Sequence, residues 1–245
     1  MHRVAACSTG AAGLVAEIMG YVKTPQVSNL RWGSETEKKA VQAFIETESQ
    51  KHVDFSLRDC GLFIARSMPF IGASPDALVS CSCCPKSVLE VKCPATMKDA
   101  SLTKGLTKLA YLNEDLQLKH NHAYYTQIQA QMALTGLCQA YFVVFTGSSL
   151  TKEIISFDET FWAATKLKAA NFFFTYIFPE LQSMHIFSQI ERAKKTCHCR
   201  GTKLGHIVEC SLCEATFHLK CVKLRRTPRQ WICTACQHNG QTADE

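Results

Sequence analysis

The sequence predicts a mixed α/β domain followed by a small, cysteine-stapled module. Three observations lead there. Short β-type runs alternate with helix-period stretches over the first 185 residues. Seven of the fourteen cysteines fall in the last fifty residues, six of them in close pairs. Charge is just as uneven: residues 1–185 carry 17 Lys/Arg against 16 Asp/Glu, and residues 186–245 carry 10 against 5, so most of the formal +6 lies in the tail. A chain of 245 residues has room for one ordinary domain and a small one. With 47% hydrophobic and 20% charged residues it can bury a core. The longest apolar run, Ala140 to Phe145, falls far short of the about 20 residues that a membrane helix needs, so no membrane partner is expected. The first 20 residues lack the basic start and apolar stretch of a secretory signal. A reducing compartment follows, where paired cysteines hold metal more often than they form disulfides.

The elements can be placed in order. Ser34 opens a helix over SETEKKAVQAFIETES, with Glu37 completing a capping box and Ala40, Val41, Phe44 and Ile45 as its buried stripe. Strands are expected at HVDFSL (52–57), GLFIARS (61–67), DALVS (76–80) and SVLEVKC (87–93). CSCCPKS (81–87) turns between the last two, with Cys81, Cys83 and Cys84 expected in a reduced, partly exposed hairpin and a metal role for them as the alternative. YYTQIQAQMALTGL (124–137) is a helix with Ile128, Met132 and Leu134 facing inward, and His120 and His122 ahead of it are capping or surface residues. Strands AYFVVFT (140–146) and KEIISF (152–157) flank a turn at 147–149. A long helix runs from about Glu159 and stops before Pro179, its phenylalanines forming core. Residues 186–196 read as a basic linker, 197–236 as the small module and 237–245 as a frayed tail.

Chemistry concentrates at Pro75-Asp76 and, after thirteen intervening residues, at Glu90-Val91-Lys92. On a strand, residues two apart share a face, so Glu90 and Lys92 project together while Val91 and Cys93 turn to the core. Pairing of the two flanking strands brings Asp76 to Glu90. Two carboxylates there suit a hard divalent cation, Mg²⁺ or Mn²⁺, which lowers the pKa of a bound water and steadies charge on a scissile phosphate. Lys92 then orients the water or neutralises the phosphorane.

Six blocks in order resemble the PD-(D/E)xK nuclease superfamily, and within it the YqaJ-type viral recombinases and phage lambda exonuclease: RVAAC (3–7), WGSETEKKA (32–40), GASPDALV (72–79), LEVKCP (89–94), YYTQIQAQM (124–132) and FFFTYIFPEL (172–181). The resemblance implies a restriction-endonuclease-like core, a mixed sheet flanked by helices, over residues 1–185. It implies that Asp76, Glu90 and the backbone carbonyl of Val91 bind metal, that Lys92 is the catalytic lysine, and that Glu35, assigned to the WG-x-x-x-E block, is a further ligand or organiser. Tyr124 and Gln127 correspond to a Y-x-x-Q element supporting the lysine and substrate. Ser74 and Lys98 fall where the exonuclease grips a 5′-phosphate. In RVAAC, Cys7 replaces the family's serine, and the arginine ahead of that element is expected before Met1, so the N-terminus reads as short.

The tail reads C-x-C-x10-C-x2-C-x4-H-x2-C-x11-C-x2-C, eight soft ligands for two closed tetrahedral zinc sites. A unit of about forty residues needs such staples. The pattern resembles a plant homeodomain (PHD) finger, including Phe217 before the histidine and Trp231 two residues before Cys233. The resemblance implies a cross-brace: Cys197, Cys199, His218 and Cys221 on one zinc, Cys210, Cys213, Cys233 and Cys236 on the other. It also implies histone-tail binding. The positions aligned with a methyl-lysine cage, Leu204, Ile207, Ser211 and Thr216, are not aromatic, so an unmodified lysine helped by Glu209 is expected rather than the trimethylated form, with a purely structural or DNA-contacting finger as the alternative. The composite reading is a metal-dependent DNA exonuclease of mobile-element or viral origin, tethered to a chromatin-directed finger in a nucleus. The competing reading is an inactive nuclease fold that binds DNA or chromatin through its finger.

Overall fold

The computed structural model describes residues 2–5, 11–22, 28–105, 109–200 and 206–239, so Cys7 and Leu204 lie outside the described residues. In chain order the elements are α1 (His2–Ala5), α2 (Ala12–Ile18), α3 (Ser28–Glu48), β1 (Ser56–Arg58), β2 (Phe63–Ala65), β3 (Met68–Ala73), β4 (Ala77–Ser80), β5 (Ser87–Lys92), α4 (Ala123–Thr135), β6 (Gln139–Phe145), β7 (Leu150–Ser156), α5 (Glu159–Phe172), α6 (Phe178–Ser183), α7 (His185–Thr196), β8 (Ile207–Glu209), β9 (Thr216–His218) and α8 (Thr234–Asn239). Two compact units divide the chain: Met1–Ala6 with Pro25–Ala170, and Cys7–Thr24 with Asn171–Glu245. Among the described residues, no helix is long and apolar enough to cross a membrane.

The first unit is built on a five-stranded sheet in the order β1-β4-β5-β6-β7. Only β5 and β6 run parallel; every other pair is antiparallel. β6 is buried at six of its seven residues, the signature of a strand covered on both faces. On one face Ala40 and Phe44 of α3 pack on Leu89, Val91, Tyr141 and Val143. On the other, Ile128 and Met132 of α4 pack on Val88, Phe142 and Val144. α3 begins six residues before Ser34, which therefore lies inside the helix and does not cap it. Gly33 is tolerated there at a cost of about 1 kcal/mol. α4 is capped at its start by His122, whose ring accepts the Tyr124 N–H at 3.2 Å. It ends at Gly136, whose φ of 72° is left-handed and suits a residue without Cβ. Strand β3 had no counterpart among the expected strands because Pro69 and Gly72 mask it. It pairs with β2 and sends Ile71 against Ala130, Trp162 and Ala169, where Leu134 also packs.

In the second unit the chain does not stop before Pro179. A single π-turn, Phe173–Ile177, follows α5, and α6 takes Pro179 in its first turn, where a missing N–H leaves no bond unmade. Nor is the phenylalanine cluster all core: Phe172 is buried, but Phe174 and Phe178 are 59% and 44% exposed. The stretch expected as a linker is helix α7, with Ile190 and Ala193 buried and Lys194 and Lys195 outward. Ala193 packs with Cys197, Val208 and Phe217, so this helix belongs to the core of the cysteine-rich module. Its first turn is capped by the buried Glu180, whose two oxygens accept the N–H groups of Ile186 (2.9 Å) and Phe187 (3.1 Å). Replacing Glu180 by alanine strands both donors. We expect Glu180→Ala to cost about 1–2 kcal/mol, read as a lower urea midpoint for the loss of helical circular dichroism; an unchanged midpoint would show that those N–H groups find other acceptors.

Candidate active site and cysteine clusters

The antiparallel register sets Ala77 opposite Leu89, so Asp76 lies opposite Glu90, just past the end of β4. There its side chain takes over from the ladder. The Asp76 N–H still donates to the Leu89 carbonyl (3.1 Å), while its carboxylate accepts the Val91 N–H at 2.7 Å. The N–H and C=O of one strand residue point to the same edge, so the Val91 carbonyl is turned toward Asp76 as well.

Glu90 is only 1% exposed. One oxygen accepts from Lys92 and from Gln127 Nε2 (2.7 Å), and the other accepts from Gln131 Nε2 (2.6 Å). Three of about four acceptor positions are thus engaged. The Lys92 ammonium also lies 4.6 Å from the centre of the Tyr124 ring, which leans edge-on against Tyr111. The sequence reading did not include Gln131. Its signal was the i, i+4 spacing with Gln127 on a helix otherwise buried along that face. Gln131 also donates to the Ser74 carbonyl (3.2 Å), and its Oε1 is buried with no hydrogen-bond partner among the described residues.

The helical glutamate needs correcting. Glu37 shares the field of Asp76 and Lys92. Burial and then the Asp76 charge raise its carboxyl, against the pull of Lys92. Glu35 lies about 200° round the helix from Glu37. The motif spacing itself ends on Glu37, since Ser34, Glu35 and Thr36 separate it from Gly33. Ser74 enters through its main chain, as above, and the Lys98 ammonium sits 4.8 Å from the centre of the Trp32 ring. Neither bonds Asp76, Glu90 or Lys92 among the described residues.

The seven tail cysteines and His218 gather in two groups that could each hold a metal ion, Cys197, Cys199, His218 and Cys221, and Cys210, Cys213, Cys233 and Cys236, each with its sulfur and ring-nitrogen atoms within 4.8 Å of one another. The β8–β9 hairpin carries both, setting Ile207 opposite His218. Trp231 packs against Phe217 with ring centres 5.4 Å apart. Thr216 cannot wall a ligand cage, because it is buried and its N–H and carbonyl both bond the Thr196 hydroxyl. Ser211 pairs with Trp231 through its N–H (2.8 Å) and hydroxyl (3.3 Å). Glu209 faces Arg192 of α7 at 3.8 Å.

A mixed sheet with helices on both faces, carrying Asp76, Glu90 and Lys92 at the end of its parallel pair, defines an exonuclease- and recombinase-like nuclease fold. The alkaline exonuclease LHK-Exo from Laribacter hongkongensis shares it: 21% identity and a TM-score of 0.54 over 79% of this chain and 92% of that one. Its complex with dAMP gives 19%, 0.55, 79% and 90%. No curated protein matches. The chain belongs to the family of YqaJ-like viral recombinase domains, whose model matches residues 11–138, a span holding Glu37, Asp76, Glu90, Lys92, Tyr124, Gln127 and Gln131.

The carboxyls of Asp76, Glu90 and Glu37 all interact with the Lys92 charge, and burial is the largest influence on the ionisation of each. Burial raises Asp76 above the ordinary carboxylate range although the Val91 N–H and Lys92 pull it down. Burial raises Glu90 too, opposed by Lys92 and reinforced by Asp76. For Lys92, burial works against the ammonium, but Glu90 and Asp76 outweigh it and the net shift is upward. A carboxyl raised on folding stabilises the fold below its unfolded pKa and loses that contribution as pH rises through its folded pKa. Metal-free protein is therefore expected to lose stability as these groups ionise. Mg²⁺ should raise its thermal midpoint at about pH 8 but not at about pH 4, where the carboxyls hold protons. Thermal melts of wild type and Asp76→Asn with and without Mg²⁺ check this; an equal rise in both proteins would place the effect elsewhere.

Proposed function

We propose that this chain is a divalent-metal-dependent DNA exonuclease whose C-terminal module is a zinc-binding, PHD-type finger that directs it to chromatin. The observation that carries the nuclease reading is the Asp76–Glu90–Lys92 set, with Gln127 on the same carboxylate. Oxygens of Asp76, Glu90 and Glu37 and the Val91 carbonyl make a hard donor set for Mg²⁺ or Mn²⁺. Bound there, the cation supplies Lewis-acid stabilisation of phosphoryl charge. Lys92 opposes the rise that burial imposes on Glu90 and offers the nearest cation for charge growing on a phosphodiester. Tyr124 limits where its ammonium can go. Ser74 and Lys98 are proposed to meet the terminal 5′-phosphate, where Lys98 acts as a point charge without arginine's fork. The likeness to an alkaline exonuclease supports DNA as the substrate.

Asp76→Ala, Glu90→Ala and Lys92→Ala should each lower Mg²⁺-dependent degradation of end-labelled linear duplex on the order of a thousandfold or more, as expected when several kcal/mol of transition-state stabilisation are lost. Glu37→Gln should also impair it, and Glu35→Gln should not. Comparing substrates with and without a 5′-phosphate tests Ser74 and Lys98. Wild-type protein without nuclease activity would favour the inactive-fold reading.

For the finger, the two ligand groups support zinc, and the double-ligand pattern supports the PHD reading. Its partner is proposed to be an unmodified histone tail, in a nuclear protein of mobile-element or viral ancestry. A lysine ammonium would share Glu209 with Arg192. Binding should therefore be weak, stronger for the unmethylated than the trimethylated peptide, and reduced by salt. Titrating both peptides against the full chain checks it; preference for the trimethylated form would overturn this part.

A further inference from the structure

The β4–β5 turn brings Cys81, Cys83 and Cys84 to His52, a residue 29 positions earlier that follows the end of α3. We infer that these four side chains form a third zinc site, separate from the finger and independent of the nuclease reading, which clips the catalytic hairpin to α3. The distances are those of ligands around one ion. Zinc bonds of roughly 2.3 Å to sulfur and 2.0–2.1 Å to nitrogen, set tetrahedrally, put sulfurs about 3.8 Å apart and nitrogen about 3.5 Å from each sulfur. Here His52 Nδ1 is 3.7, 3.4 and 3.5 Å from the sulfurs of Cys81, Cys83 and Cys84. Cys81–Cys83 and Cys83–Cys84 are 3.6 and 3.8 Å. The finger groups show the same spacing, 3.6 Å for Cys197–Cys199 and 3.7 Å for Cys213–Cys233.

A second observation concerns the other side of the imidazole. His52 Nε2 is 3.6 Å from an oxygen of Glu48, a fully buried carboxylate also bound by Lys51 and Lys152. A metal-ligating histidine characteristically gives its far N–H to a carboxylate, which fixes ring and tautomer. The ring is further set by stacking on Phe55, centres 5.8 Å apart. The turn is anchored independently of any ion: the Ser82 N–H donates to the Val53 carbonyl (2.9 Å), its hydroxyl donates to Asp54 (2.6 Å), and the Ser56 and Ser80 hydroxyls share a bond of 2.8 Å. Thiolate and imidazole donors select zinc over the hard cations suited to Asp76 and Glu90. An iron–sulfur cluster distributes its protein ligands over several metal atoms, whereas these four converge on one point.

The test uses the full-length chain purified without chelator. Metal analysis should return three zinc ions, one for each ligand group, and Cys83→Ser should return two. N-ethylmaleimide labelling read by peptide mass spectrometry decides the location in the wild-type chain, even where the variant does not fold. Cys83 and Cys84 are exposed, so without metal they should react as readily as the exposed Cys138. With zinc bound, Cys81, Cys83 and Cys84 should be protected until chelator is added, while Cys138 reacts throughout. Unprotected labelling of Cys83 and Cys84, a disulfide among the three, or iron with visible absorbance would overturn the site.

Discussion

Burying the Glu90 carboxylate is the constraint around which the first unit is organised. An ionised carboxylate taken out of water costs several kcal/mol unless it is paired and its lone pairs are filled. Lys92 supplies the charge, from two residues along the same strand face. Gln127 and Gln131 supply the remaining donors, and they can do so only if α4 crosses β5 at one rotation and one height. The glutamines therefore fix a register that the aliphatic contacts of Ile128 and Met132 leave looser, because apolar packing is non-directional. Asp76 completes the arrangement by bonding the next backbone N–H. Chemistry and fold specification rest on the same few atoms.

What could be read in the sequence follows the range of each interaction. Asp76, Glu90 and Lys92 were legible because a hairpin joins them and a strand's two-residue period orients them. Glu35 was taken for Glu37 although two residues on a helix reverse the face, and both the buried stripe through Ala40 and Phe44 and the spacing from Gly33 favour the latter. His52 was invisible as a partner of Cys81, because the β1–β4 pairing that joins them is a tertiary event. β3 hid behind a proline and a glycine that edge pairing tolerates. The helix at 185–196 was read as a linker from its charge, although Ile186, Ile190, Ala193 and Cys197 already carry a helical period.

The second unit shows how short sequence motifs underestimate a small cysteine-rich module. Seven cysteines and His218 mark a module of about forty residues, yet its core extends into α7 through Ala193, and α7 in turn is capped from α6 by Glu180. Positions that alignment alone treats as ligand-facing have structural duties here: Thr216 is tied to Thr196, Ser211 to Trp231, and Glu209 to Arg192. The excess of positive charge sits on this scaffold, so its field and its folding depend on the same helix.

The single parallel pair in the sheet has a kinetic consequence. β4 and β5 meet across a six-residue turn and can form early, placing Asp76 beside Glu90 at little entropic cost. The parallel β5–β6 pairing must wait until the whole stretch from Lys92 to Gln139, including α4, has closed. Until then Glu90 has Lys92 but neither glutamine, and β6, which can pair with β7 across a short turn, has its β5 edge open. The order of assembly is therefore written into the topology: the acidic pair comes first, its donors last, and the interval between is when the Ala140–Phe145 segment is open to mispairing with another chain.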